Sequence, residues 1–92
     1  MDKKKIIWIT GASSGIGKAL AIKFAENNWI VAASARRENL LDELKLINEN
    51  IHSFPLDVTE IDKCKLTAKN IIERFGNIDI CVFGTGMNDP KS

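Results

Sequence analysis

The feature that most constrains this chain is an alternation. Short runs of β-branched and apolar residues are each followed, within a few positions, by a segment whose apolar residues recur every three or four. Ile6 to Thr10 reads as a first strand buried on both faces. In Gly15 to Asn28, Ile16, Leu20 and Phe24 fall four apart on one predicted helical face, and Asn27-Asn28 is suited to ending the helix. A second strand at Ile30 to Ser34 leads to a second helix over roughly 37 to 50, marked by Leu40, Leu44 and Ile47. Ile51 to Pro55 is a weaker third strand, limited by its proline. Thr59 with Asp62 three residues later predicts a capping box, and Ile61, Cys64, Ala68, Ile71, Ile72 and Phe75 continue at helical spacing to Gly76. Ile78 to Phe83 is the fourth strand, ended by Gly84-Thr85-Gly86. The strict β-α-β-α-β-α-β order with short connections predicts an α/β chain with a parallel sheet covered by helices on both faces.

Composition excludes several alternatives. Hydrophobic residues at 45% and charged residues at 27% are the proportions of a folded chain rather than a disordered one. Thirteen Lys and Arg against twelve Asp and Glu leave a net charge of +1, which does not suggest nucleic-acid binding. Neither of the longest apolar runs, Ile6 to Ile9 and Trp29 to Ala33, approaches the ~20 residues of a membrane span. Lys3-Lys4-Lys5 precedes an apolar stretch shorter than the ~7 to 15 residues of a secretion signal. Cys64 and Cys81 lack C-x-x-C spacing and read as small buried hydrophobes in a reducing cytoplasm. With His52 the sole histidine, no tetrahedral metal site is expected.

Between the first strand and the first helix lies Thr10-Gly11-Ala12-Ser13-Ser14-Gly15-Ile16-Gly17, at the position where a dinucleotide's pyrophosphate binds in such folds. Glycine at 11 permits a tight turn, at 15 a close approach of backbone to an anion, and at 17 close packing of helix on strand. Free N–H groups at the helix start attract phosphate, and Ser13 and Ser14 add hydroxyl donors. The triphosphate-binding signature G-x-x-x-x-G-K-[ST] is out of register, because Ala12 takes its first glycine and Ala19 its Ser or Thr.

Thr10 through Gly17 matches T-G-x-x-x-G-x-G, and here the sequence resembles the short-chain dehydrogenases and reductases. The resemblance implies a Rossmann-type sheet of strand order 3-2-1-4, incomplete in this chain, with residues 1–92 forming the N-terminal dinucleotide-binding half of the domain. It implies that Gly11, Ser13, Ser14, Gly15, Ile16 and Gly17 wrap the cofactor's pyrophosphate and ribose. Leu56-Asp57-Val58 looks like the adenine contact, through the Asp57 side chain and the Val58 N–H. Gly84 and Gly86, at the end of the fourth strand, complete the implied cofactor contacts.

At the end of the second strand, where NAD-binding members carry an acidic residue, this chain has Ala35 followed by Arg36 and Arg37. A guanidinium pairs with a 2′-phosphate that a carboxylate would repel, so NADP is expected over NAD. A one-residue shift would instead bring Glu38 to the ribose. The fourth strand departs from the family's D-I-x-V-N-N-A-G, since Phe83-Gly84 stands in place of two Asn.

Hydride transfer between nicotinamide and a carbonyl or alcohol is the activity the resemblance implies, with a Tyr-x-x-x-Lys pair and a Ser as catalytic groups. The sequence contains no tyrosine, and no residue of this chain is expected to be catalytic. Two functions are therefore expected in order. The first is the NADP-binding portion of an oxidoreductase, and the second a non-catalytic nucleotide-binding or interaction module. The fourth strand is expected to form a bare apolar edge that invites self-association.

Overall fold

A computed structural model of the chain describes residues 4–83. It contains β1 (Ile6–Thr10), α1 (Gly15–Glu26), β2 (Ile30–Ser34), α2 (Glu38–Ile47), β3 (Ile51–Ser53), α3 (Ile61–Phe75) and β4 (Ile80–Phe83). The four strands form one sheet in the order β3-β2-β1-β4, with every pairing parallel. This is the architecture that the alternation predicts.

The sheet divides the core in two. On one face Ile7, Ile9, Val31, Ala33 and Ile51 meet Ala21 and Ala25 of α1 and Leu41 and Leu44 of α2. On the other, Ile6, Trp8 and Ala32 meet Ile71 of α3, with Cys64, Ala68 and Phe75 packed around them. Alternate residues of β1 thus serve opposite layers, which is why a strand covered on both sides is apolar throughout. Among the described residues, no helix is long and apolar enough to cross a membrane.

Several local expectations are corrected. The face of α1 that meets the sheet is the small-residue stripe Gly17, Ala21 and Ala25; Leu20 and Phe24 lie half-buried on its flank, and Ile16 is 80% exposed. Ile16 belongs to the first turn, beyond the strand ends, so its helical spacing does not bring it to the core. α1 does end at the two asparagines: Asn28 adopts φ 69°, and the Trp29 N–H returns to the Phe24 carbonyl at 3.1 Å.

α2 stops at Ile47 rather than near 50, because Asn48 Oδ1 accepts the Asn50 N–H at 2.8 Å and offers the backbone a turn instead. β3 ends at Ser53, two residues before Pro55, although the Phe54 and Leu56 N–H groups still reach the Ala33 and Ala35 carbonyls at 2.9 Å. The capping box does not form. Glu60 holds the cap position of α3 without a side-chain cap bond, and the Thr59 hydroxyl donates to Asp57 Oδ1 at 2.7 Å. β4 starts at Ile80, not Ile78, because Asp79 turns its carboxylate onto the Ile6 N–H at 2.8 Å. The cysteines are not buried: Cys64 is half-buried and Cys81 exposed.

Candidate functional site

The site is assembled at the carboxyl ends of β1 and β2. β1 delivers Thr10, which is buried, and the chain turns immediately through Gly11 at φ 68° and Gly15 at φ 59°. Both angles lie in the left-handed region, where a side chain is strained. Gly17 is required for a different reason. A Cβ there would fall on the Gly11 carbonyl oxygen and lie 2.9 Å from the Gly11 carbonyl carbon, so any larger residue forces the helix away from the loop.

β2 anchors this loop. The Ala12 N–H donates to the Ser34 carbonyl at 3.0 Å, while the buried Ser34 hydroxyl accepts the Trp8 indole N–H at 2.9 Å. Thr10 Oγ1 lies 3.4 Å from the Val82 carbonyl on the other neighbouring strand. The loop therefore rests on a framework fixed from both sides of β1.

α1 opens directly above it. Ser14 caps the helix in an extended conformation with no side-chain cap bond, and the first backbone bond of the helix is from the Lys18 N–H to the Ser14 carbonyl at 3.3 Å. The N–H groups of Gly15, Ile16 and Gly17 precede that bond and need another partner. Ser14, Gly15 and Ile16 are exposed and Ser13 is half-buried, which suits them to meet an anion at the positive end of the helix dipole.

A groove of about 360 Å³ opens beside Arg36, lined also by Pro55, Leu56, Asp57, Glu60 and Lys63. Two expected cofactor residues, Arg36 and Asp57, are thus brought to one cavity. Arg37 is not among its lining residues; it caps α2, with Glu38 in the first helical turn. Val58 is exposed beside Asp57. Gly84 and Gly86 lie outside the described residues.

Asp57 is the most perturbed carboxyl of the site. The hydrogen bond from the Thr59 hydroxyl, then that from the Thr59 N–H at 3.0 Å, and the charges of Arg36 and Lys63 hold its pKa below the ordinary carboxylate value. Both Thr59 bonds go to Oδ1, and Oδ2 is the acceptor they leave over. His52 sits in the middle of β3, its ring 4.7 Å from that of Phe75. Burial first, and then Arg74, Lys45 and Lys4, lower its pKa. It is an aromatic packing residue, not part of the groove.

Glu60 and Lys63 are the charged groove residues that sequence reasoning missed. Their only signal is position: both fall at the start of α3, just after Asp57, three residues apart on one side of the helix.

The geometry has relatives. A dehydrogenase/reductase SDR family protein 7-like from Dictyostelium discoideum is 39% identical over 93 residues, an alignment covering 91% of this chain and 29% of that protein. Among solved structures, an actinorhodin polyketide ketoreductase determined with NADPH superposes with a TM-score of 0.83 at 26% identity, over 90% of this chain and 33% of that one. A 3-ketoacyl-(acyl-carrier-protein) reductase from Brucella melitensis complexed with NADH shares the fold at a TM-score of 0.79 and 24% identity, over 86% of this chain and 33% of that one. The chain spans less than a third of the length of the curated relatives it matches. The family model for short chain dehydrogenases matches residues 5–92, almost the whole sequence, and with the glycine loop and the 3-2-1-4 sheet already in view, the chain belongs to the short chain dehydrogenase family.

Proposed function

We infer that residues 1–92 supply the NADP-binding, N-terminal half of a short-chain oxidoreductase domain that moves hydride between a nicotinamide and a carbonyl or alcohol carbon. The observation that carries this reading is the join between two features. The glycine loop, anchored on Ser34, opens toward solvent at the start of α1, and the groove lined by Arg36 and Asp57 begins two residues further along the same strand end. A dinucleotide has the same division, a pyrophosphate at its middle and an adenosine at one end. Arg36 makes no ion pair among the described residues, so its guanidinium suits a 2′-phosphate. Both nicotinamide dinucleotides occur among proteins of this fold, and the preference here rests on Arg36 and Arg37.

The dinucleotide supplies the hydride chemistry when bound. The chain's own part is to hold it: backbone N–H groups at α1 for the pyrophosphate, Asp57 and the Val58 N–H for the adenine, Arg36 and Arg37 for the 2′-phosphate. The Tyr-x-x-x-Lys pair that the family resemblance implies for proton transfer is not among these residues. A second reading is a nucleotide-binding or interaction module, in which the same residues hold the nucleotide without chemistry on it. The cytoplasm is the compartment we assign, and the exposed β4 edge is the surface through which we expect self-association.

Fluorescence titration of the chain with NADPH and NADH tests the proposal. Arg36→Ala with Arg37→Ala is expected to weaken NADPH about 10-fold or more, the worth of one or two charge-assisted bonds, while changing NADH less than about 2-fold. Equal losses for both nucleotides would refute the NADP assignment. A chain that runs as a monomer, melts cooperatively and binds NADPH favours the module, whereas one that associates through β4 and fails to bind favours the first reading.

A further inference from the structure

The groove beside Arg36 has two cations in its lining. Arg36, two residues past the end of β2, and Lys63, in the first turn of α3, both line it, together with Asp57 and Glu60. Each carboxylate is already engaged within the protein. Asp57 Oδ1 accepts the Thr59 hydroxyl and N–H, and Glu60 Oε1 lies 3.2 Å from Lys63 Nζ. Of the two cations, Arg36 has no such hold and Lys63 has only the contact with Glu60. Arg36 makes no ion pair among the described residues, and the Lys63–Glu60 pair is an exposed one, with side chains 69% and 49% accessible, the weakest kind of ion pair.

The position of Lys63 is not explained by the helix that carries it. It is the third residue of α3, where a positive charge opposes the helix dipole. Glu60 offsets this only through a contact that solvent screens. An ammonium at the rim of a groove, in a helical position that disfavours it and on a loosely held partner, is free to turn to a stronger anion.

We propose that Lys63, which lines the same groove as Arg36, is a second cation for the ribose 2′-phosphate, and that Glu60 sets its strength by competing for the same ammonium. The inference rests on the NADP reading above and adds a residue that the glycine motif and the arginine pair do not contain. A 2′-phosphate carries close to two negative charges at neutral pH and presents three acceptor oxygens, more than one carboxylate offers. Its arrival replaces the Glu60–Lys63 contact by a Lys63–phosphate contact.

The test is calorimetric titration of the chain, at low fixed ionic strength, with 2′,5′-ADP and with 5′-AMP, which differ by the phosphate alone. K63Q is expected to weaken 2′,5′-ADP about 5-fold and to leave 5′-AMP within about 2-fold, as fits loss of one exposed charge-assisted contact. E60Q is expected to tighten 2′,5′-ADP about 3-fold by freeing the ammonium and removing a like charge from the groove. The double variant E60Q/K63Q is expected to bind about 5-fold more weakly than E60Q.

A double variant as tight as E60Q would mean that Lys63 merely neutralises Glu60, and would overturn the proposal. So would a K63Q variant that binds 2′,5′-ADP normally while Arg36→Gln weakens it; the NADP reading would then survive alone. An unmodified chain that binds 2′,5′-ADP no better than 5′-AMP would overturn the NADP reading and this inference with it.

Discussion

β1 and β4 lie side by side in the sheet and are made of similar residues, yet they live in different environments. No residue of β1 is more than 4% exposed, whereas Ile80 of β4 is 39% exposed and Phe83 59%. β1 has a strand on each side and helices above and below. β4 pairs on one side only, and among the described residues no strand lies beyond it. The contrast teaches that an apolar run specifies a strand but does not by itself make it core. Burial comes from the neighbours, and the glycine loop hangs from the strand that has them all.

Truncation at matched positions separates the two strands most, since Ile7 faces Ile80 in register. Ile7→Ala is expected to cost about 2 to 5 kcal/mol in urea denaturation, as for a fully buried aliphatic side chain. Ile80→Ala is expected to cost less than about 1 kcal/mol, in the range of surface positions. Similar losses at both sites would show that β4 is as well packed as β1.

The loop leaving β1 gives the next largest effect. Gly17→Ala sets a methyl group against the Gly11 carbonyl, with an expected cost of about 1 to 3 kcal/mol in thermal or urea unfolding. It should also lower NADPH affinity, because the helix start moves off the loop. An unchanged midpoint together with unchanged binding would mean that the close approach is not needed.

The cysteines sharpen the contrast chemically. Cys81 is exposed on β4, and Cys64 is half-buried with its thiol 3.6 Å from the Val58 carbonyl. Iodoacetamide followed by peptide mapping is expected to find Cys81 modified first. Partial burial raises the Cys81 thiol above its ordinary 9.0, so the rate should keep climbing as pH passes 9.0 rather than level off there. Faster labelling of Cys64 would contradict the open edge.

The smallest effect concerns the opposite edge, β3, where His52 is covered by Phe75. Its folded pKa lies below 6.5, chiefly through burial and then through Arg74, Lys45 and Lys4. The unfolded chain therefore binds a proton more readily than the folded one. His52 contributes no loss above 6.5, and stability falls as pH drops through 6.5 toward the folded pKa. Urea midpoints at pH 7.5 and 5.5 should differ, and His52→Asn should reduce the difference. An unaltered slope would place the acid sensitivity elsewhere.

Much of the fold was legible in the sequence because period and punctuation agree. Trp8 and Ile9 sit in an apolar run of the kind a doubly covered strand shows, and Gly11, Gly15 and Gly17 stand at the one junction where each spacing has a mechanical use. The misreadings share a cause. Ile16 and Thr59 fit local patterns, a helical stripe and a capping box, but local patterns do not know where the sheet ends or which acceptor lies nearer. Asp57, two residues before Thr59, took the hydroxyl that the helix start would have used.

Half of the candidate site was legible for the same reason. The glycine loop is contiguous and Arg36 follows a strand end, so the topology predicts both. Glu60 and Lys63 were hidden because a charged pair at a helix start is also what any solvated surface looks like. Only the groove shows that they line one surface depression with Asp57.

Ser34 has a consequence for observation. Its carbonyl holds the glycine loop and its hydroxyl holds the Trp8 indole, whose ring also meets Phe83 edge-on at a centroid distance of 6.0 Å. One of the two tryptophans of the sequence is thereby wired to both the nucleotide end and the open edge. The Trp8 indole proton is a built-in gauge, shielded from exchange while the loop anchor and the fourth strand are in place and released when either lets go.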